Sequence, residues 1–283
     1  MPFESLILEK MDRLTTAQQR VANFIIEHYD EALFLTVSRL AMKAGVSEAT
    51  VIRLTQALGF DGYPDMQRML RENLQNRLST VTRAEEAIKH AQDDGDILGQ
   101  VIRQDTQNLA QTLQNIPVET FNQAVKDIRS ARAIYVIGLR GAHAPALIFG
   151  LYLSFLRKKV HILTPGIGDV WNNILGIGSE DLVLGISFPR YTRLTVELLA
   201  YAHEQGTKVG VITDSVMSPL AREADWILPV ASRLDSFIES FTASVSVVNA
   251  LLAAVSIQMP DETVRALRDR EALWKEKQIY MTS

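Results

Sequence analysis

The chain has 283 residues, 47% hydrophobic and 22% charged, with a net charge of -4, a length that allows two domains with separate cores. The negative balance excludes bulk attraction to nucleic acid, so any such contact has to be local. Cysteine is absent and the histidines are scattered at positions 28, 90, 143, 161 and 203, which excludes disulfides and any evident metal-ligand cluster. No apolar run is long enough to cross a membrane, and the opening MPFESLILEKMDRL lacks the layout of a signal peptide. A cytoplasmic chain with no membrane partner is expected.

Residues 3–31 read as helices, with Thr15 or Thr16 capping the second and Val21, Phe24 and Ile25 forming its apolar stripe. The next stretch, VSRLAMKAGVSEATVIRLTQALGFDG from Val37 to Gly62, reads as two short helices joined by a tight turn. Leu40, Ala41 and Ala44 share a face of the first helix, Gly45 marks the reversal, and Ser47 is placed to cap the second. Val51, Leu54 and Leu58 give that second helix its buried side, and Gly59 closes it. A small residue, a turn glycine and apolar residues at these intervals are the sequence form of a helix-turn-helix that binds DNA. The polar positions of the second helix are Ser47, Glu48, Thr50, Arg53 and Gln56, residue types suited to base edges and phosphates. Arg39 and Lys43 on the first helix are expected to meet the DNA backbone. An ordinary helical hairpin fits the periodicity as well, and it is the outward face that favours DNA.

A further helix follows in YPDMQRMLRENLQNRL, with Met66, Met69, Leu70 and Leu74 inward as core. Residues 80–97 turn polar and are expected to be a connector, QDDGD being a solvated cluster. An amphipathic helix is expected from about Leu98 to Leu113. From Arg132 onward the pattern is strand then helix: AIYVIG, KVHILT, DLVLGIS, KVGVITD and ADWILPV are five continuous apolar strands. Helices are expected at Pro145–Phe155, Leu194–His203 and Ser240–Gln258, with a short one in the tail. Buried strands separated by helices indicate a parallel sheet covered on both faces, with ligands outside the carboxyl ends of the strands. Those ends carry Gly138–His143, Ser187–Arg193 and Thr213–Ser218.

The two halves together resemble the RpiR family of bacterial transcription regulators. The resemblance rests on LAMKAGVSEATVIRLTQALGFDGYPDMQ and, in the second half, on Gly206 through Asp214, Ser218-Pro219-Leu220 and Ala224-Asp225. It implies an all-α helix-turn-helix domain at 1–79, a connector at 80–97, a sugar isomerase (SIS) type α/β domain at 98–275 and a tail at 276–283. The second domain is then a flavodoxin-like, five-stranded parallel sheet that senses phosphosugars. Two positions depart from the family pattern. A serine usual after the first strand is Ala142 in GLRGAHA. A serine-x-serine-glycine-x-threonine loop that wraps a phosphate after the third strand is here Ser187-Phe188-Pro189-Arg190-Tyr191-Thr192, keeping Ser187 and Thr192 only.

Arg140, Arg190 and Arg193 are therefore expected to converge at the strand ends with Gly138, His143, Ser187, Thr192 and Glu239 as an anion site, rather than to pair with nearby acids. A guanidinium fork suits carboxylates as well as phosphates, so a sugar phosphate, a sugar acid or another carboxylate all fit. The expected function is DNA-binding regulation modulated by a small anionic effector, through a homodimer or homotetramer on double-stranded operator DNA. No cofactor is expected, since Gly138-Leu139-Arg140-Gly141 lacks the GxGxxG spacing and no P-loop appears. Two other readings stay open: a sugar-phosphate isomerase with Glu239 as general base, and a DNA-binding protein whose second domain only oligomerises.

Overall fold

The computed structural model describes residues 3–33, 35–77, 79–91, 96–166, 169–216 and 218–281. Contacts divide the chain into two units, Met1–Glu85 and Glu86–Ser283.

The first unit is helical: α1 (Phe3–Lys10), α2 (Thr16–Glu27), α3 (Tyr29–Ala32), α4 (Val37–Lys43), α5 (Glu48–Leu58) and α6 (Tyr63–Arg77), with α7 (Thr80–Ala91) running across the boundary. Thr15 caps α2 through a reciprocal pair with Gln18, which satisfies two amides left over at the helix start. The apolar spacing read from sequence becomes one core of Val21, Ile25, Leu40, Val51, Leu54, Leu58, Met66 and Leu70. Two tyrosines fasten α6 to it. Tyr63 donates to the Leu35 carbonyl at 2.8 Å and Tyr29 to that of Leu70 at 2.9 Å, so each hydroxyl is buried with a partner. The polar stretch expected as a connector contains α7, and the boundary between the two units falls within that helix. Gln92–Gly95 and the Leu74 side chain lie outside the described residues.

The second unit opens with α8 (Ile97–Asn115) and α9 (Val118–Ser130). The parallel sheet follows, with β1 (Ile134–Gly138), α10 (His143–Leu156), β2 (Val160–Leu163), β3 (Leu182–Ile186), α11 (Arg193–Glu204), β4 (Lys208–Thr213) and β5 (Trp226–Pro229). It ends in α12 (Thr242–Gln258) and α13 (Pro260–Glu276). The strand order is β2-β1-β3-β4-β5, every pair parallel, which is the flavodoxin-like winding. α13, with 17 residues, corrects the short helix expected in the tail, and α9 has no counterpart in the elements read from sequence.

Both faces of the sheet are covered, as the continuous apolar strands require. Ile134, Val136, Leu182, Leu184 and Ile186 pack against Ile128, Phe149, Leu153, Val248 and Leu251 on one side. Ile137, Val183, Val209 and Val211 pack against Leu198, Leu199 and Ala202 of α11 on the other. Connections leave β1 and β3 toward opposite edges, so the winding reverses between these two neighbours. At the opposite end of the same strands Arg132 holds Asp181 through two guanidinium nitrogens, at 2.9 and 2.6 Å. Among the described residues no single helix is long and apolar enough to cross a membrane.

Candidate functional site

Two places gather the residues singled out from sequence. In the first, α4 and α5 meet across a turn in which Gly45 takes φ +65° with open space around it, so the glycine serves conformation rather than packing. Ala41, 3% exposed, lies at the crossing of the two helices, and its carbonyl accepts from the Val46 amide at 2.9 Å. Ser47 caps α5 by accepting from the Thr50 amide at 3.3 Å, and Glu48 stands in the first turn at the positive end of the helix dipole. Arg39, Lys43, Ser47, Glu48, Arg53 and Gln56 are all exposed. Thr50 is not. At 7% exposed, with its hydroxyl 3.0 Å from that of Ser47, it belongs to the cap and the core, which corrects its expected place on the outward face. Ala49 takes that place, four and seven residues before Arg53 and Gln56 and exposed with them. A short methyl side chain there lets a helix approach closely and can touch a thymine methyl. Its spacing was the available signal.

The second place is the crevice between β1 and β3. Gly138 pairs with Ile186 at the strand ends, so the loops that follow leave the sheet side by side. A Cβ on Gly138 would stand 2.4 Å from the Ala142 carbonyl, which is why the turn into α10 takes glycine. His143 Nδ1 lies 3.1 Å from the Gly138 carbonyl; a carbonyl only accepts, so Nδ1 carries the proton and Nε2 is the ring's remaining group. Ser187 is buried at 4%, and Thr192 opens α11 without a side-chain cap bond. Arg140 and Arg190 are exposed and both adopt left-handed backbone, φ +56° and φ +68°. Arg193 does not join them. It is drawn to Glu197 at 2.6 Å along α11, and that hydrogen bond and charge raise its pKa further. Of the three arginines expected to converge, Arg193 is a helix-surface ion pair.

A third segment meets the two crevice loops, and its support was not anticipated. Phe241, just before α12, sets its ring against Gly141, where a Cβ would lie 2.6 Å from the ring, and edge-on to Phe188 with centroids 5.7 Å apart. This brings the segment carrying Glu239 to the β1 and β3 loops. One face of α8 holds that segment. Asp105 accepts from Thr242 Oγ1 at 2.7 Å and from Ser240 Oγ, Asn108 donates to the Arg233 carbonyl at 2.7 Å, and Thr112 accepts from the Ala231 amide at 3.0 Å. Asn108 and Thr112 are 1% and 4% exposed, polar side chains buried with partners. Beside it, Tyr191 donates to Asp214 at 2.8 Å and ties the β3 loop to the end of β4.

Residues 1–77 match the model of the helix-turn-helix domain of the rpiR family, and residues 127–254 match the SIS domain. The sugar isomerase domain of an RpiR transcription factor from Sphaerobacter thermophilus is 34% identical, aligned over 62% of this chain and 98% of that one with a TM-score of 0.60. The chain belongs to the RpiR family of transcriptional regulators. The regulator HexR of Pseudomonas aeruginosa is 27% identical over 89% of this chain and 88% of its own. The NanR protein of Vibrio vulnificus, solved in complex with ManNAc-6P, shares the fold over 99% of both chains at 19% identity and a TM-score of 0.61.

As an RpiR-family chain it joins a DNA-binding helix-turn-helix to an SIS domain, and its two gathered places fall one in each matched region. Sequence spacing located the strand-end loops, including Gly138, Arg140, His143, Ser187, Arg190 and Thr192. It did not locate Asp105, Asn108 and Thr112, which act across more than a hundred residues of chain.

Proposed function

We propose that this RpiR-family regulator binds its operator through α5 and a small anionic metabolite in the β1–β3 crevice, and that the metabolite modulates operator binding. On this reading Arg53 and Gln56 face the bases, with Ala49 between them and the groove wall. Arg39, Lys43 and the exposed start of α5 at Ser47 and Glu48 lie along the backbone. One recognition helix covers only a few base pairs, so specificity calls for a homodimer or homotetramer on paired half-sites. The protein works in the cytoplasm, where its operator is.

The observation that carries the effector site is the pair of exposed arginines, Arg140 and Arg190, on the two loops that leave the winding reversal. Positive charge at that crevice, beside Ser187, Thr192, His143 and the Glu239 segment, suits an anion bearing hydroxyl groups. The sugar phosphate held by NanR supports a sugar-derived ligand. The test is operator binding by fluorescence anisotropy on DNA selected from a random pool, titrated with sugar phosphates and sugar acids. A metabolite that shifts the operator affinity at least fivefold is expected. Affinity indifferent to every metabolite that binds the second unit would leave that unit an oligomerisation domain.

An isomerase is the second reading, since Glu239 sits in a segment that reaches the crevice. Catalysis is not expected, because the loop has Pro189 and Arg190 at its centre. Incubation with aldose and ketose phosphates should give no interconversion above background, and turnover abolished by Glu239→Gln would reverse this.

A further inference from the structure

Among the described residues, the non-glycine positions with positive φ are Arg140, Arg190 and Gln278, and two of these are the crevice arginines. A left-handed backbone is open to glycine without steric cost and strained for any residue with a Cβ. Glycine is therefore the easier residue at 140 and at 190, and arginine stands at both. Such strain collects where a side chain is needed for binding.

We infer that the crevice selects a carboxylate, that of a small hydroxylated acid, over a phosphate ester, with Arg140 and Arg190 as the specificity-determining residues. This rests on the proposal that the crevice is the effector site. A loop that wraps a phosphate does so with successive backbone amides, brought close by glycine. Here position 189 is proline, which has no N–H to give, and position 190 carries a side chain on its left-handed turn. A phosphate presents three oxygens, and the Arg190 fork meets two of them, leaving the third to a loop with no amide to give at position 189. A carboxylate presents two, in one plane, and the fork satisfies both. His143 adds to this. With its Nδ1 proton directed to the Gly138 carbonyl, the ring has Nε2 as its remaining polar group for a ligand hydroxyl.

The test compares two three-carbon fragments that differ in their anion, glycerate and glycerol 3-phosphate, at tens of millimolar and matched ionic strength against chloride. The readout is the unfolding midpoint of the α/β unit in the full-length chain, for wild type, Arg190→Ala and Arg190→Gly. Glycerate should raise the wild-type midpoint beyond chloride, glycerol 3-phosphate should raise it less, and both variants should lose the glycerate shift. Without any fragment, Arg190→Gly should melt about 2–4 °C above Arg190→Ala, since only glycine releases the left-handed strain. A larger shift from glycerol 3-phosphate, lost in both variants, would overturn the carboxylate assignment and leave the effector site standing. No shift beyond chloride from either fragment would overturn both. A glycine variant that melts no higher than the alanine variant would remove the strain on which the specificity inference stands.

Discussion

On the proposed function, the α4–α5 pair and the β1–β3 crevice both present polar side chains to a negatively charged partner, and they assemble those side chains by different means. In the helix pair every part lies between Val37 and Gly59, and helical periodicity alone decides which side chains face out. In the crevice the parts come from residues near 105, 140, 190 and 240, and only the winding of the sheet brings them together. The first is a site written into one local pattern, with a core of its own beneath it. The second depends on supports far away in the chain, so its geometry can be altered from positions that touch no ligand. A regulator needs both properties: a rigid reading head and a sensor that can be shifted.

The comparison can be broken most forcefully in the helix pair. Leu54 is fully buried beneath the exposed face of α5, and Leu54→Ala should cost about 2–5 kcal/mol through the cavity it leaves. If the head is self-contained, calorimetry will show the helical unit's transition falling while that of the α/β unit keeps its midpoint. Equal falls in both transitions would mean that the head borrows its stability from the sensor. Next in size is Arg53→Ala, which should lose about 1–3 kcal/mol of operator affinity if the guanidinium reads a guanine. Thr50→Val is the matched control: it should lower the helical unit's stability and leave base discrimination unchanged, because Thr50 faces the cap. Operator affinity equal to wild type in Arg53→Ala at matched salt would remove Arg53 from the interface.

How much could be read from sequence follows the same division. Leu40, Ala41, Gly45, Ser47, Val51, Leu54 and Leu58 each took the role their spacing gives, because a helix converts spacing into facing with no outside help. Thr50 was misread for a local reason: in the first turn a capping hydroxyl competes with the outward direction. The five strands and the loops at their ends were legible, since buried parallel strands are continuous apolar runs. Arg193 was misplaced because an acid one turn onward, Glu197, captures it, and position in a loop does not reveal that competition. Asp105, Asn108 and Thr112 looked like the polar side of an amphipathic helix. Only the tertiary fold turns that side inward onto residues 231–242, and no pattern within α8 reports it.

A pH titration sharpens the contrast through one carboxyl of the α/β unit, Asp181. Burial by itself raises the Asp181 carboxyl, but the Arg132 hydrogen bond, the Gly178 amide and the Arg132 charge outweigh it and hold the group below the usual carboxylate range. A carboxyl depressed in the folded state stabilises above its unfolded pKa, about 3.9, and that stabilisation is lost as pH falls through the lower folded value. The α/β unit should therefore lose stability progressively below about pH 4, and Asp181→Asn should flatten that part of the curve. Urea midpoints measured from pH 3 to pH 7 give the slope. An unchanged slope in the variant would mean that other carboxyls carry the acid response.

The smallest effect expected is also the most specific to a distributed site. Asp105 accepts from both Ser240 and Thr242, and these two hydroxyls anchor the segment whose Phe241 ring rests on the Gly141 turn. Asp105→Asn keeps one acceptor oxygen and replaces the other with a donor, so one hydroxyl can no longer donate there and both bonds lose the carboxylate charge, at a cost of about 0.5–1.5 kcal/mol. Because the bond lies at the edge of the unit, global unfolding should move little. Opening of the anchored segment should become easier, and amide exchange over residues 231–241 should rise about fivefold while exchange in the α4–α5 pair stays as in wild type. If the crevice binds the effector, the same variant should weaken effector binding without touching any residue that meets the ligand, since part of the binding energy must then order the loosened segment. Operator affinity without effector should be unchanged. Exchange that rises equally in both units would contradict the division between a local head and a distributed sensor, and exchange that does not rise at 231–241 would mean that Phe241 packing, not Asp105, holds the segment against the two loops.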